Sequence, residues 1–229
     1  MPVAATDAAR APTGRARLAG LYAVTPDEAD TARLAALVEA AIAGGARAIQ
    51  YRNKAATPAL QHEQAARLAR VCAGHGALFI VNDDARLARA VDAAGVHVGE
   101  HDGSLVLARE QVGQERIVGV SCYDNLARAQ DAVAQGADYV AFGSFFPSVV
   151  KPGARRASVA LLRQARPLRV PLVAIGGITA GNARALVEAG ADAVAVLTDV
   201  FAHDDLPAVT RAAAALAACF EPSHPGRPR

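Results

Sequence analysis

Tryptophan is absent from this sequence, aromatic residues make up only 4% of it, and the formal net charge is just +2. Without stacking platforms or a basic stripe, the chain is a poor fit to nucleic acid, and no such partner is expected. Cysteine is scarce as well. Cys72, Cys122 and Cys219 are odd in number and match no zinc or redox spacing, which argues against a disulfide framework and for a reducing cytoplasm. No apolar run approaches the roughly 18 residues of a membrane span. The first twenty residues carry no continuous apolar stretch of the secretory kind. No membrane partner is therefore expected.

Lysine is nearly missing too. Lys and Arg total 24, yet the only lysines are Lys54 and Lys151. Arg supplies the ordinary surface charge, so two lysines in loops stand out as compact charges able to follow a phosphate oxygen.

What is present is a rhythm. Hydrophobic residues reach 52%, and four segments look alike: Gly45–Gln50, Gly95–Gly99, Gly136–Ala141 and Gly190–Ala195. Each opens on a Gly that suits the left-handed end of an Ala-rich helix and then runs into a short apolar strand. Leu21–Thr25, Leu78–Val81, Ile117–Val120 and Leu172–Ile175 are further short apolar runs, of the kind buried on both faces. Thr31–Ala43, Pro58–Ala73 and Asn125–Ala134 read as helices between them. Thr57-Pro58 suits an N-cap and first turn. Asp124 is the expected cap of the third helix, and Thr25-Pro26-Asp27 is read as the start of the first.

Eight strands alternating with helices predict an α/β fold, a single (β/α)8 TIM barrel over residues 18–220. Residues 1–17 and 221–229 read as disordered tails. The main rival is an open doubly wound sheet, but no Gly-x-Gly-x-x-Gly turn follows the first strand.

Chemistry in such barrels gathers at the C-terminal ends of strands. There lie Gln50-Tyr51-Arg52-Asn53-Lys54, Asn82-Asp83-Asp84, Gly99-Glu100-His101-Asp102, Ser121, Ser148-Val149-Val150-Lys151, Gly176-Gly177 and Leu197-Thr198. Gln50 and Arg52 share a strand face. Asp83 and Asp102 suit magnesium, which takes one or two carboxylates beside phosphate oxygens and water. Asp84 has a structural alternative as a helix cap, but sequence geometry alone does not separate it from Asp83; the preference for Asp83 comes from a family resemblance. Gly176 and Gly177 allow close approach of backbone to an anion, with a following helix to aim N–H groups at it. His97 reads as a barrel-interior residue, and Arg155-Arg156 as a solvated loop.

These segments, in this order from about Gly20 to Phe201, resemble the thiamine phosphate synthase family. The resemblance implies a transferase that joins hydroxymethylpyrimidine diphosphate to a thiazole phosphate, with Mg2+ as cofactor. By it, Gln50, Arg52, Lys54, Asn82, Ser121 and Lys151 hold the pyrimidine diphosphate. Asp83 and Asp102 bind the metal. Ser148, Val150, Gly177, Leu197 and Thr198 line the thiazole phosphate site. Tyr51, Asn53, Val149 and Gly176 are carried as adjoining substrate contacts, and Arg52, Lys54, Ser121 and Lys151 as the catalytic set. Two positions depart from the family. Val150 replaces the second Thr of Thr-x-Thr and has no side-chain donor, and Asn53 stands where Glu is common. A thiazole phosphate tautomerase of the same barrel family and a non-catalytic phosphate-ligand sensor are the competing functions. A homo-oligomer is left open.

Overall fold

The computed structural model describes residues 18–99, 104–147 and 155–222. Eight parallel strands close into a barrel in chain order. They are β1 Gly20–Val24, β2 Ala46–Tyr51, β3 Leu78–Asn82, β4 Gly95–Val98, β5 Ile117–Tyr123, β6 Tyr139–Gly143, β7 Leu172–Ile175 and β8 Ala193–Val196. Helices lie between and after them: α1 Thr31–Ala43, α2 Pro58–His75, α3 Ala85–Ala90, α4 Leu105–Val112, α5 Leu126–Ala134, α6 Val159–Ala165, α7 Ala183–Glu188, α8 Thr198–Phe201 and α9 Leu206–Ala217.

Alternation along each strand divides the core in two. Inward residues such as Tyr22, Ala48, Ile80, Ile117, Tyr139, Val173 and Ala195 fill the barrel. Outward residues such as Ala23, Ile49, Phe79, Val96, Val118, Phe142 and Val194 pack under the helices. Helix α1 shows how the outer layer forms. Leu34, Ala35, Leu37, Val38, Ala40 and Ala41 are its buried residues, at the spacing of one helical face. The last helix closes the ring against the first. Thr210 Oγ1 donates to Ala40 O at 3.1 Å, and a Cβ on Gly44 would lie 2.4 Å from Thr210 O.

The Gly-Ala-Asp repeats have a physical job at the N-terminal end of the barrel. Asp138 Oδ2 accepts from Val118 N at 2.7 Å, and Asp192 Oδ2 accepts from Leu172 N at 2.9 Å. Each aspartate also pairs with an arginine, Asp138 with Arg109 and Asp192 with Arg166. The preceding glycines, Gly136 and Gly190, have φ of 93° and 111°, as their place beyond a helix end predicts.

Gly95 differs from this pattern. It caps no helix, because α3 ends at Ala90 and is capped by Val91. It is the first residue of β4, where a Cβ would lie 2.1 Å from Ile117 O. Close approach of strands, not a left-handed turn, demands glycine there. Two helix starts also differ from expectation. Asn125, rather than Asp124, caps α5 by accepting from Arg128 N. Asp30 caps α1 by accepting from Ala32 N and Arg33 N, which frees Thr25-Pro26-Asp27 for another use. Thr57 and Asp84 cap α2 and α3 as read. Strand β5 runs beyond Ser121 to Tyr123 through an irregularity in its pairing with β6.

Candidate active site

The ends of β2 and β3 carry a connected polar cluster. Gln50 is buried, and its Nε2 donates to Asn82 Oδ1 at 3.3 Å. That orients the Asn82 amide, whose Nδ2 donates to Asp83 Oδ2 at 2.5 Å. Lys54 Nζ lies 3.8 Å from the same carboxylate oxygen. Asp83 holds a left-handed backbone, φ 64°, a conformation that Asp tolerates better than most residues. Its N–H donates to His97 O at 2.8 Å, so the turn is pinned to β4. The Lys54 side chain is 59% exposed and that of Asp83 is 26% exposed. A pair this open and this long contributes little to stability.

Sequence reasoning missed the clamp that positions this cluster. Thr25 Oγ1 accepts from Arg52 N at 2.9 Å and donates to Arg52 O at 3.0 Å. Asp27 Oδ1 accepts from Lys54 N at 2.8 Å and lies 3.5 Å from Arg52 Nη1. The loop after β1 therefore holds both cationic residues of the β2 end by their backbone, and Arg52 by its charge as well. Its signal was place alone: a Thr and an Asp just after the first strand.

Tyr51 and Asn53 face the other way. Tyr51 Oη donates to Gln64 Oε1 at 2.9 Å. Asn53 Nδ2 donates to Glu28 O at 2.7 Å and to Gln64 Oε1 at 3.0 Å. Both side chains are buried beneath α2. Burial, with Asp27 nearby, pushes the Tyr51 phenol up to about 12. Two residues that the sequence reading carried as substrate contacts thus brace the strand from behind. The alternation that turns Gln50 and Arg52 inward turns them outward. The Asn53-for-Glu departure falls in this layer.

Ser121, at the rim on β5, lies 2.8 Å from His97 Nε2. Arg128 Nε donates to Ser121 O at 2.9 Å, which ties the strand end to α5. His97 is buried in the barrel interior, as expected. The Cys122 thiol is buried and pushed up to about 12 by desolvation, so it is held as the neutral thiol rather than the nucleophilic thiolate.

The β6–β8 side is built from backbone. Gly176 and Gly177 have φ of 101° and 64°. A Cβ on Gly176 would lie 2.3 Å from Ser144 Oγ, and one on Gly177 2.3 Å from Pro147 O. The chain leaving β6 therefore runs tightly along the turn after β7, with Phe146 N donating to Gly176 O at 3.0 Å. Ser144 N donates to Arg155 O at 3.1 Å, joining residues on either side of 148–154. Helix α7 starts several residues beyond the glycines, and the Asn182 amide before it donates to Gly177 O at 3.1 Å. Leu197 packs against the barrel interior and Thr198 opens α8. Asp199 Oδ2 accepts from Ala180 N at 3.1 Å, linking the β7 and β8 ends. Asp102, Ser148, Val149, Val150 and Lys151 lie outside the described residues.

The donor set at β3 suits a hard divalent cation. Asp83 offers a half-buried carboxylate that meets the Asn82 amide and the Lys54 ammonium, and magnesium needs few protein ligands. Among the described residues, no group of three or more His, Cys, Asp or Glu forms a cage. No helix of the described residues is long and apolar enough to cross a membrane.

Comparison with known proteins adds independent findings. The family model for thiamine monophosphate synthase matches residues 21–200. Thiamine-phosphate synthase of Chromobacterium violaceum is 54% identical over 198 residues, covering 86% of this chain and 96% of that one. Thiamine-phosphate synthase of Azoarcus sp. is 54% identical over 190 residues, covering 82% and 92%. The solved structure of thiamine phosphate pyrophosphorylase from Pyrococcus furiosus superposes with a TM-score of 0.78 at 35% identity, covering 89% of this chain and 96% of that one.

Proposed function

We propose that this chain, which belongs to the thiamine monophosphate synthase family, joins hydroxymethylpyrimidine diphosphate to a thiazole phosphate and releases diphosphate, forming thiamine phosphate. It is a transferase of that family, on a TIM barrel. The observation that carries the reading further is the rim cluster, in which Arg52, Lys54 and Asp83 sit together at the ends of β2 and β3.

Diphosphate departs readily only when its growing charge is met. Arg52 and Lys54, held by Asp27 and Thr25, supply fixed positive charge where the anion separates. Lys151 adds a third cation by the family resemblance. In the substitution, the methylene–oxygen bond breaks and its electron pair leaves with diphosphate. The aminopyrimidine ring carries the resulting cation until the thiazole nitrogen donates its lone pair to form the new carbon–nitrogen bond. No side chain becomes covalently attached. Asp83 and Asp102 would hold magnesium, which would supply positive charge against the diphosphate. Gln50, Asn82 and Ser121 orient the pyrimidine diphosphate. Ser148, Val150, Gly176, Gly177, Leu197 and Thr198 form the thiazole phosphate side, with Val149 beside them.

Incubating the protein with both substrates and magnesium should yield thiamine phosphate and diphosphate in equal amounts. Binding without turnover would point to a phosphate-ligand sensor, and isomerised thiazole phosphate alone to a tautomerase. Alanine at Asp83 or Asp102 should raise the magnesium concentration needed for half-maximal rate. Wild-type dependence in both variants would remove them as ligands.

A further inference from the structure

Four polar side chains cross the barrel interior in one line. Tyr22 Oη on β1 lies 3.0 Å from Tyr139 Oη on β6. The same Tyr139 oxygen lies 2.8 Å from His97 Nδ1 on β4. His97 Nε2 lies 2.8 Å from Ser121 Oγ on β5. The rings are locked by contact: His97 stacks on Tyr139 at 5.5 Å between centroids, and Tyr22 meets Tyr139 edge-on at 6.2 Å. Gly119 makes this possible. It pairs in register with both His97 and Tyr139, and a Cβ there would lie 1.9 Å from Tyr139 Cζ. With no side chain on the strand between them, the phenol reaches across β5 to the imidazole.

Proton counting gives the line a direction. Burial raises both phenols above their ordinary range, so each keeps its single proton. Among the described residues, the hydrogen-bond partner of Tyr22 Oη is Tyr139 Oη, and Tyr22 belongs to the buried barrel cluster with Val24, Ala48 and Ile80. A buried O–H with no acceptor costs its full desolvation, so Tyr22 donates to Tyr139. The Tyr139 proton then goes to His97 Nδ1. The ring carries its proton on Nε2 and donates it to Ser121 Oγ. The reverse direction fails at the first residue: a proton on Nδ1 would send that of Tyr139 toward Tyr22 and leave that of Tyr22 without its described acceptor.

We infer that this line presets Ser121 as a hydrogen-bond donor to an acceptor atom of the pyrimidine diphosphate, a ring nitrogen or a phosphate oxygen, with Tyr22, Tyr139 and His97 as positioning residues. The inference rests on Ser121 being a substrate contact, as read above. Its proton points away from the histidine, and a substrate amino group offered to it meets a competing donor.

Nitrogen-15 spectra of histidine-labelled full-length protein, without ligand and at mildly alkaline pH, read the tautomer directly. The His97 signal, assigned by its loss in His97→Gln, should show a neutral ring protonated on Nε2. A ring protonated on Nδ1, or on both nitrogens, overturns the inference. Kinetics give a second reading. His97→Gln places an amide nitrogen near the Nε2 position and keeps a donor to Ser121, whereas His97→Leu does not. His97→Leu should raise KM for the pyrimidine diphosphate about tenfold, with KM for the thiazole phosphate unchanged and His97→Gln recovering most of the loss. Equal defects in the two variants overturn it as well. The outcomes separate cleanly from the function. An inactive wild type with the Nε2 tautomer sinks the synthase reading and leaves the proton order standing; an active enzyme with the Nδ1 tautomer sinks the proton order alone.

Discussion

The two ends of the barrel treat charge in opposite ways. At the N-terminal end, Arg109 and Asp138 meet with side chains only 11% and 2% exposed. The carboxylate also accepts from Val118 N, and the guanidinium also donates to Gly113 O and Gly136 O. Their bonding capacity is largely spent within the protein. At the C-terminal end, Lys54 and Asp83 stand 3.8 Å apart and half open to solvent. An ion pair this long and this open adds little to folding, and its place suits the proposed site for a polyanion and a cation. One end uses charge for folding, and the other, on the proposed function, presents charge to a ligand.

Breaking the first end should give the largest effect. Asp138→Ala leaves a buried guanidinium unpaired, and we expect it to lower unfolding free energy by about 3–5 kcal/mol, measured by urea denaturation. The fraction still folded should turn over near the wild-type rate. A variant of wild-type stability would erase the contrast between the ends.

Lys54→Ala should do the reverse. Losing one preorganised charge partner costs about 3 kcal/mol in the transition state, roughly a hundredfold in rate. Single-turnover measurements would show it. Its urea midpoint should hardly move, since exposed pairs contribute only about 0–1 kcal/mol. Unchanged turnover would take Lys54 out of the catalytic set.

Thr25→Val sharpens the comparison, because Thr25 bears no charge. It removes both hydrogen bonds to the Arg52 backbone, about 2 kcal/mol in all. Part of that should appear as reduced kcat/KM for the pyrimidine diphosphate and part as reduced stability. A loss confined to stability would make the clamp a folding device only.

The smallest effect belongs to the layer between strands and helices. Burial pushes the thiols of Cys72 and Cys122 up to about 12. The folded protein holds these protons at pH values where the unfolded chain releases them. Stability is therefore fully present below the ordinary thiol range and declines as pH rises from there toward 12. A Cys72→Ala/Cys122→Ala variant should show a shallower fall in urea midpoint between neutral and alkaline pH. Equal falls would show that these thiols do not drive it.

How much of this was legible in the sequence depended on range. Local signals read well. Thr57 and Asp84 cap their helices, Thr31–Ala43 forms α1, and the short apolar runs form the strands. Alternation put Gln50 and Arg52 on the inner face, and the same rule turned Tyr51 and Asn53 toward α2. What escaped was contact across the barrel. Thr25 and Arg52 are separated by 27 positions, and Tyr22 and Tyr139 by 117. No local pattern links such pairs; the closure of eight strands does. Gly95 looked like its three counterparts because all four precede a strand, yet its neighbour Ile117, not a helix end, dictates the residue.

The Tyr139 ring occupies the space that a side chain at Gly119 would need, which makes those two positions a single evolutionary unit. A methyl at 119 is tolerable only where the facing ring has shrunk, and a shrunken ring silences the phenol that speaks to the imidazole. Among descendants of this chain, drift at either position should therefore come paired with drift at the other, and engineers who enlarge residue 119 alone should recover insoluble protein.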